Sequence, residues 1–142
     1  MIRVAIAGAG RMGKAIAAGL DGQADMELAG FWGRDDDLDA LVSEADVVID
    51  FSLPDGTAEV LEAVLRHEKP LVCGVSGLND AQVARLDEVA GQVPLVYDRN
   101  MSLGIAVLEQ SVREAATSLG VDFDVEISEV CLLYTSDAAD DN

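Results

Sequence analysis

The tightest constraint on what this chain can become is a six-residue run near its start, Gly8-Ala9-Gly10-Arg11-Met12-Gly13. Before it, Ile2 to Ala7 is apolar and partly β-branched, and after it Met12 to Leu20 is an alanine-rich helical stretch. In the order strand, glycine turn, helix, each glycine has a separate task. Gly8 can take the tight turn, Gly10 lets backbone approach another group with no Cβ between them, and Gly13 lets the helix close against the strand. The first N–H groups of the helix then point out of the turn, where the helix dipole favours an anion. This placement predicts a pyrophosphate-binding turn opening an α/β fold.

The rest of the chain repeats the alternation. Short apolar strands are expected at Met26 to Trp32, Asp46 to Phe51, Pro70 to Gly74 and Pro94 to Tyr97. Between them the pattern predicts helices over Asp37 to Ala45, over 55–68 behind Pro54, and over Asp80 to Ala90 behind an Asn79/Gln82 capping box. A long helix follows from Leu103 to Leu119, closed by Gly120. Continuously apolar strands separated by helices predict a Rossmann-type doubly wound parallel sheet, buried on both faces, with right-handed crossovers. Residues 123–130 differ, because Phe123, Val125 and Ile127 alternate with Asp124, Glu126 and Ser128. That is the mark of a strand with one wet face. The expected organisation is therefore a dinucleotide-binding domain over 1–121, the first strand of a second, α+β domain over 122–130, and a foreign-looking tail over 131–142.

Charge narrows the partners. Nine Lys and Arg against 27 Asp and Glu leave a net charge of −18 in 142 residues. That field repels nucleic acid and anionic membrane surfaces, so neither is expected as a partner. A dinucleotide is also an anion, and binding one needs local devices such as a helix N-terminus and single arginines. Cys73 and Cys131 form neither a metal-ligand spacing nor a disulfide framework, so no metal and a reducing cytoplasm are expected. No export to another compartment is expected from the residues that open the chain. Cys73 reads as core, and His67, the single histidine, as a solvated cation at a helix end.

The second strand ends Phe31-Trp32-Gly33-Arg34-Asp35. In such domains an acid at this point bonds the ribose diol of NAD, whereas an arginine accommodates the 2′-phosphate of NADP. Gly33 stands where the acid is expected and Arg34 follows, so NADPH is the preferred cofactor, with Asp35 keeping NADH open. Trp32 is read either as packing or as a wall for adenine.

Four further segments resemble one family in the right order: Asp46-Val47-Val48-Ile49-Asp50-Phe51-Ser52 with Pro54; Gly74-Val75-Ser76-Gly77; Asn100-Met101-Ser102 with Gly104; and Asp122 to Glu129. With the glycine turn they cover nearly all of 1–130 and resemble the 4-hydroxy-tetrahydrodipicolinate reductases, formerly dihydrodipicolinate reductases, of diaminopimelate and lysine synthesis. The resemblance implies an NAD(P)H-dependent oxidoreductase, a homotetramer acting on a small cyclic dicarboxylate. It implies cofactor contacts from Gly8, Ala9, Gly10, Arg11, Met12 and Gly13 at the pyrophosphate, and from Gly33 and Arg34 at the adenosine ribose. Gly74, Val75 and Ser76 would meet the nicotinamide side, and Asp98, Arg99, Asn100 and Met101 would complete its pocket.

The chain also departs from the family pattern. Val75 stands for a usual threonine, Asp98-Arg99 for a small residue and proline, and the glycine turn is one residue shorter than in many members. The family's H-H-R-H-K segment, which supplies the proton donor and a substrate-binding lysine, has no counterpart: after Glu129 the chain reads Val130-Cys131-Leu132-Leu133, and no His or Lys follows Lys69. No catalytic residue is therefore assigned, and a coding sequence cut short, binding cofactor weakly and turning over negligibly, is expected. Two other readings stand beside this one. An aspartate or homoserine dehydrogenase relative is disfavoured by the Gly74 and Asn100 segments, and a nucleotide-sensing module without chemistry by the tail.

Overall fold

A computed structural model describes residues 1–33 and 36–128. The chain divides into two compact units, Met1–Asn100 and Met101–Asn142. Among the described residues the first carries five strands and four helices in strict alternation: β1 (Ile2–Ala7), α1 (Arg11–Leu20), β2 (Met26–Trp32), α2 (Leu38–Glu44), β3 (Val47–Asp50), α3 (Pro54–Arg66), β4 (Leu71–Cys73), α4 (Asp80–Ala90) and β5 (Leu95–Tyr97). All pairings are parallel, in the order β2-β1-β3-β4-β5. The expected doubly wound sheet is present. Its chain turns outward from β1 to β2, then crosses back to β3 on the other side, which makes the gap between β1 and β3 the switch point of the topology.

Local chemistry sets the helix starts. Asp37 accepts the N–H of Ala40 at 3.0 Å and caps α2. Pro54 opens α3, where its missing N–H costs nothing. The predicted capping box forms: Asn79 Oδ1 accepts from Gln82 N at 3.0 Å, and Gln82 Oε1 accepts from Asn79 N at 2.9 Å. Gln82 Nε2 also donates to Pro54 O at 2.8 Å, tying the start of α4 to the start of α3.

Burial follows the strand period. Ala5, Ala7, Val48, Leu71 and Cys73 face a core built with Val42, Val60, Leu61, Val64, Leu86 and Val89, from α2, α3 and α4. Val4 and Ile6 face the other way, onto Leu20, Ile16 and Ala17 of α1. At β1 both faces are closed, and each fully buried Val, Leu or Ile contributes about 1.5–3 kcal/mol of hydrophobic free energy. Burial weakens toward the edge of the sheet, where Val96 of β5 remains 59% exposed. His67 is the C-cap of α3, as its position suggested, but its side chain is only 22% exposed and Nε2 lies 3.1 Å from Asp39 Oδ1. Packing beside an acid replaces the solvated cation expected from sequence. The neighbouring Arg66, which also bonds that carboxylate, is the main cause holding the Asp39 carboxyl below its ordinary range.

In the second unit, α5 (Leu103–Leu119) is capped by Ser102, whose Oγ accepts from Ile105 N, and ends at Gly120 with φ 74°. A single 3-10 turn follows at Gly120–Asp122. The strand expected over 122–130 is absent from 122–128, and residues 129–130 lie outside the described residues. A one-sided strand is stable only on a ladder partner, and among the described residues none pairs with it. Phe123, Val125 and Ile127 stay 57%, 55% and 71% exposed. The expected tail over 131–142, with Cys131, also lies outside the described residues. No described helix is long and apolar enough to cross a membrane.

Candidate functional site

The strands end flush. Ala7 is in register with Trp32 and with Asp50, Asp50 with Cys73, and Cys73 with Tyr97. The residue that follows β1, β3, β4 and β5 in each case donates back across the sheet: Gly8 N to Trp32 O at 3.0 Å, Phe51 N to Ala7 O at 2.9 Å, Gly74 N to Asp50 O at 2.9 Å, and Asp98 N to Cys73 O at 3.3 Å. Segments far apart in sequence therefore leave one carboxyl edge side by side: the glycine turn, the Gly33 end of β2, the Phe51-Ser52 turn, the Gly74 loop and the Asp98 loop. This is the edge where open α/β sheets bind ligands.

The glycine turn is as tight as its spacing implied. Gly8 has φ +100°, and a Cβ there would lie 2.5 Å from Phe51 O. A Cβ on Gly13 would lie 2.0 Å from Gly8 O, so only hydrogen allows α1 to begin so close to β1. Gly10 differs: it is the N-cap of α1, makes no side-chain cap, and a Cβ there would meet nothing within 4 Å. The start of α1 is thus left without a side-chain cap beside open space at Gly10, and a helix N-terminus of that kind favours an anion. Ala9, Arg11 and Met12 are exposed around it.

Phe51, leaving β3, joins the turns of its two neighbouring strands. Its carbonyl is the wall behind Gly8, and its ring lies where a Cβ on Gly74 would come within 2.3 Å of Cζ. Sequence reading did not single Phe51 out for this, because nothing in an aromatic letter after a strand tells which loop its ring covers. Ser76 is exposed in the Gly74 loop, whereas Val75 is 2% exposed with its side chain in the core, so only its backbone is left to face a ligand. Asp98, Arg99 and Asn100 are exposed, with Asn100 N donating to Asp98 Oδ1 at 2.9 Å. Met101 is the first residue of the second unit. Gly33 is half-buried and its N–H donates to Asp36 Oδ2 at 2.8 Å. Arg34 and Asp35 lie outside the described residues. Trp32 is 9% exposed and packed so that a Cβ on Gly56 would approach its ring at 3.1 Å.

Beneath the edge sits a buried carboxyl that sequence alone did not mark. Asp50, at the end of β3, is fully buried; Oδ1 accepts from Ser52 N at 2.9 Å, and Oδ2 has no partner among the described residues. Burial pushes its carboxyl up, opposed mainly by the neighbouring Ser52 and less by the nearby Thr57. Burial also raises the Cys73 thiol to about 11, with the Asp50 charge adding to it. The sign for stability follows from the raised value. Between the unfolded and folded pKa the native chain holds the extra proton, so stability falls as pH rises through that window and stays lower above it. Asp50→Asn keeps an acceptor for Ser52 N and cannot ionise, so thermal melts are expected to show the variant gaining on the wild type from pH 4 to pH 7. A gap that does not widen with pH would refute the buried charge.

The comparisons agree with this geometry. The family model described as "Dihydrodipicolinate reductase, N-terminus" matches residues 2–101. A 4-hydroxy-tetrahydrodipicolinate reductase of a Nitratiruptor species is 46% identical over 102 residues, covering 72% of this chain and 40% of the relative. Its counterpart from Zymomonas mobilis is 37% identical over 140 residues, covering 94% and 55%. Among solved structures, a dipicolinate-bound dihydrodipicolinate reductase from Paenisporosarcina sp. TG-14 shares the fold, with TM-score 0.71 at 22% identity over 81% of this chain and 53% of its own. The chain spans about half the length of the curated relatives it matches. On the family match across its whole five-stranded unit, the chain belongs to the dihydrodipicolinate reductase family, as a member of its N-terminal part.

Proposed function

We propose that this chain is the dinucleotide-binding part of an NAD(P)H-dependent reductase that converts 4-hydroxy-tetrahydrodipicolinate to tetrahydrodipicolinate. The observation that carries the reading is the open cradle at Gly10: an uncapped helix start facing free space at the switch-point edge of a sheet whose family members are reductases. Bound there, the reduced nicotinamide supplies a hydride. Residues of this chain do the rest of the holding. The N–H groups at the start of α1 take the pyrophosphate, Gly74 and Ser76 border the nicotinamide ribose, and the Asp98 to Asn100 loop closes the same edge. Substrate and proton donor need further groups, since no His or Lys follows Lys69, and this chain alone is expected to bind cofactor without measurable turnover.

NADPH is the favoured dinucleotide in this reading, because Arg34 directly follows the β2 end and offers the charge a 2′-phosphate needs. Titration with NADPH and NADH, followed by nicotinamide fluorescence, tests both levels. Saturable binding of both is expected, with Arg34→Ala weakening NADPH by about tenfold and NADH little. A folded chain that binds neither would remove the functional reading.

A further inference from the structure

The acidic run behind β2 contains four carboxylates in the stretch 35–39, and the structure separates three of their roles. Asp37 is spent on capping α2 through Ala40 N. Asp39 is paired with Arg66 and lies against His67. Asp36 alone of these three turns back to the sheet edge. Its Oδ2 accepts the N–H of Gly33 at 2.8 Å, its own N–H donates to Gly33 O at 3.3 Å, and its carbonyl accepts from Trp32 Nε1 at 3.2 Å. A Cβ built on Gly33 would lie 3.3 Å from that same Oδ2. The Asp36 carboxylate thus stands over Gly33, in contact with the place where a side chain at 33 would begin, one residue beyond the Trp32 carbonyl that Gly8 bonds.

We propose that Asp36 is a specificity-determining residue of the dinucleotide site, supplying from three positions downstream the carboxylate that position 33 lacks. The inference rests on the functional reading above. An acid at the end of the second strand accepts from a ribose hydroxyl and repels a 2′-phosphate. Asp36 therefore opposes Arg34: the arginine draws the 2′-phosphate, the carboxylate penalises it, and the pair sets how far NADPH is preferred. Asp36 is exposed, so its repulsion acts through solvent and is screened by salt.

Parallel titrations of the full chain with NADPH and NADH, at low and high salt, test this with two variants. Asp36→Asn retains an oxygen for Gly33 N–H and removes only the charge. It is expected to tighten NADPH about fivefold while NADH stays level or weakens slightly, and the gain is expected to shrink at high salt. Asp36→Ala removes the hydrogen bond as well. If Asp36 served only to brace the turn, Ala would weaken both cofactors together and Asn neither. An unchanged NADPH-to-NADH ratio in Asp36→Asn, or an equal change in both, would overturn the inference while leaving cofactor binding intact. Failure of the wild type to bind either dinucleotide would overturn the functional reading, and this inference with it.

Discussion

Gly13→Ala is expected to lower the stability of the folded chain by about 3 kcal/mol, with a fall in melting temperature of roughly 10–20 °C. The added methyl would sit 2.0 Å from the carbonyl oxygen of Gly8. That atom belongs to the backbone, so no rotamer change relieves it. Either α1 must move away from β1 or the Gly8 turn must open. Gly8 is held on one side by its bond to Trp32 O and on the other by the Phe51 carbonyl, which leaves the turn no free direction. A loss of this size is a large part of the total stability of an ordinary domain. Gly10→Ala is the matched comparison, because a Cβ there meets nothing within 4 Å. It is expected to leave the melting temperature within a few degrees of wild type and still weaken dinucleotide binding, since its methyl fills the approach to the helix N-terminus. Melting and cofactor titration on the two variants separate a glycine required by packing from one required by a ligand. Equal melting temperatures would refute the packing argument.

The second large effect is at Gly74. A methyl there would come within 2.3 Å of Phe51 Cζ and 2.4 Å of Cε1. Here the obstacle is a ring, and a ring can rotate away, so Gly74→Ala is expected to cost about 2 kcal/mol. Its displacement should pull on the turn whose carbonyl supports Gly8. Phe51→Leu removes the obstructing edge, so the double variant is expected to be less destabilised than the two single losses added together, by about 1 kcal/mol. Strict additivity in a double-mutant cycle, read from denaturant melts, would mean that Phe51 does not bridge the two loops.

The fold is largely legible in the amino-acid order. Five apolar runs alternate with helical ones, and the boundaries move by only a residue or two, because Asn79, Gln82, Pro54 and Gly120 punctuate the chain with local chemistry. Most of the candidate site is legible for the same reason. The glycine spacing states a local geometry, and local geometry is what short motifs encode. The miss at 122–128 has the opposite cause: alternation describes how a strand presents its faces, while a strand exists only where another offers a ladder.

The sequence by itself determined the elements, their order, the glycine turn and the helix N-terminus behind it, since each depends on residues within a few positions of one another. Only the tertiary structure decided what meets at the carboxyl edge. It buried Asp50 under the switch point, laid the Phe51 ring across Gly74, drew Val75 into the core, and chose Asp36 from an acidic run to stand over Gly33. Those outcomes depend on parallel register and helix packing, which bring together residues tens of positions apart, and no local pattern carries that information.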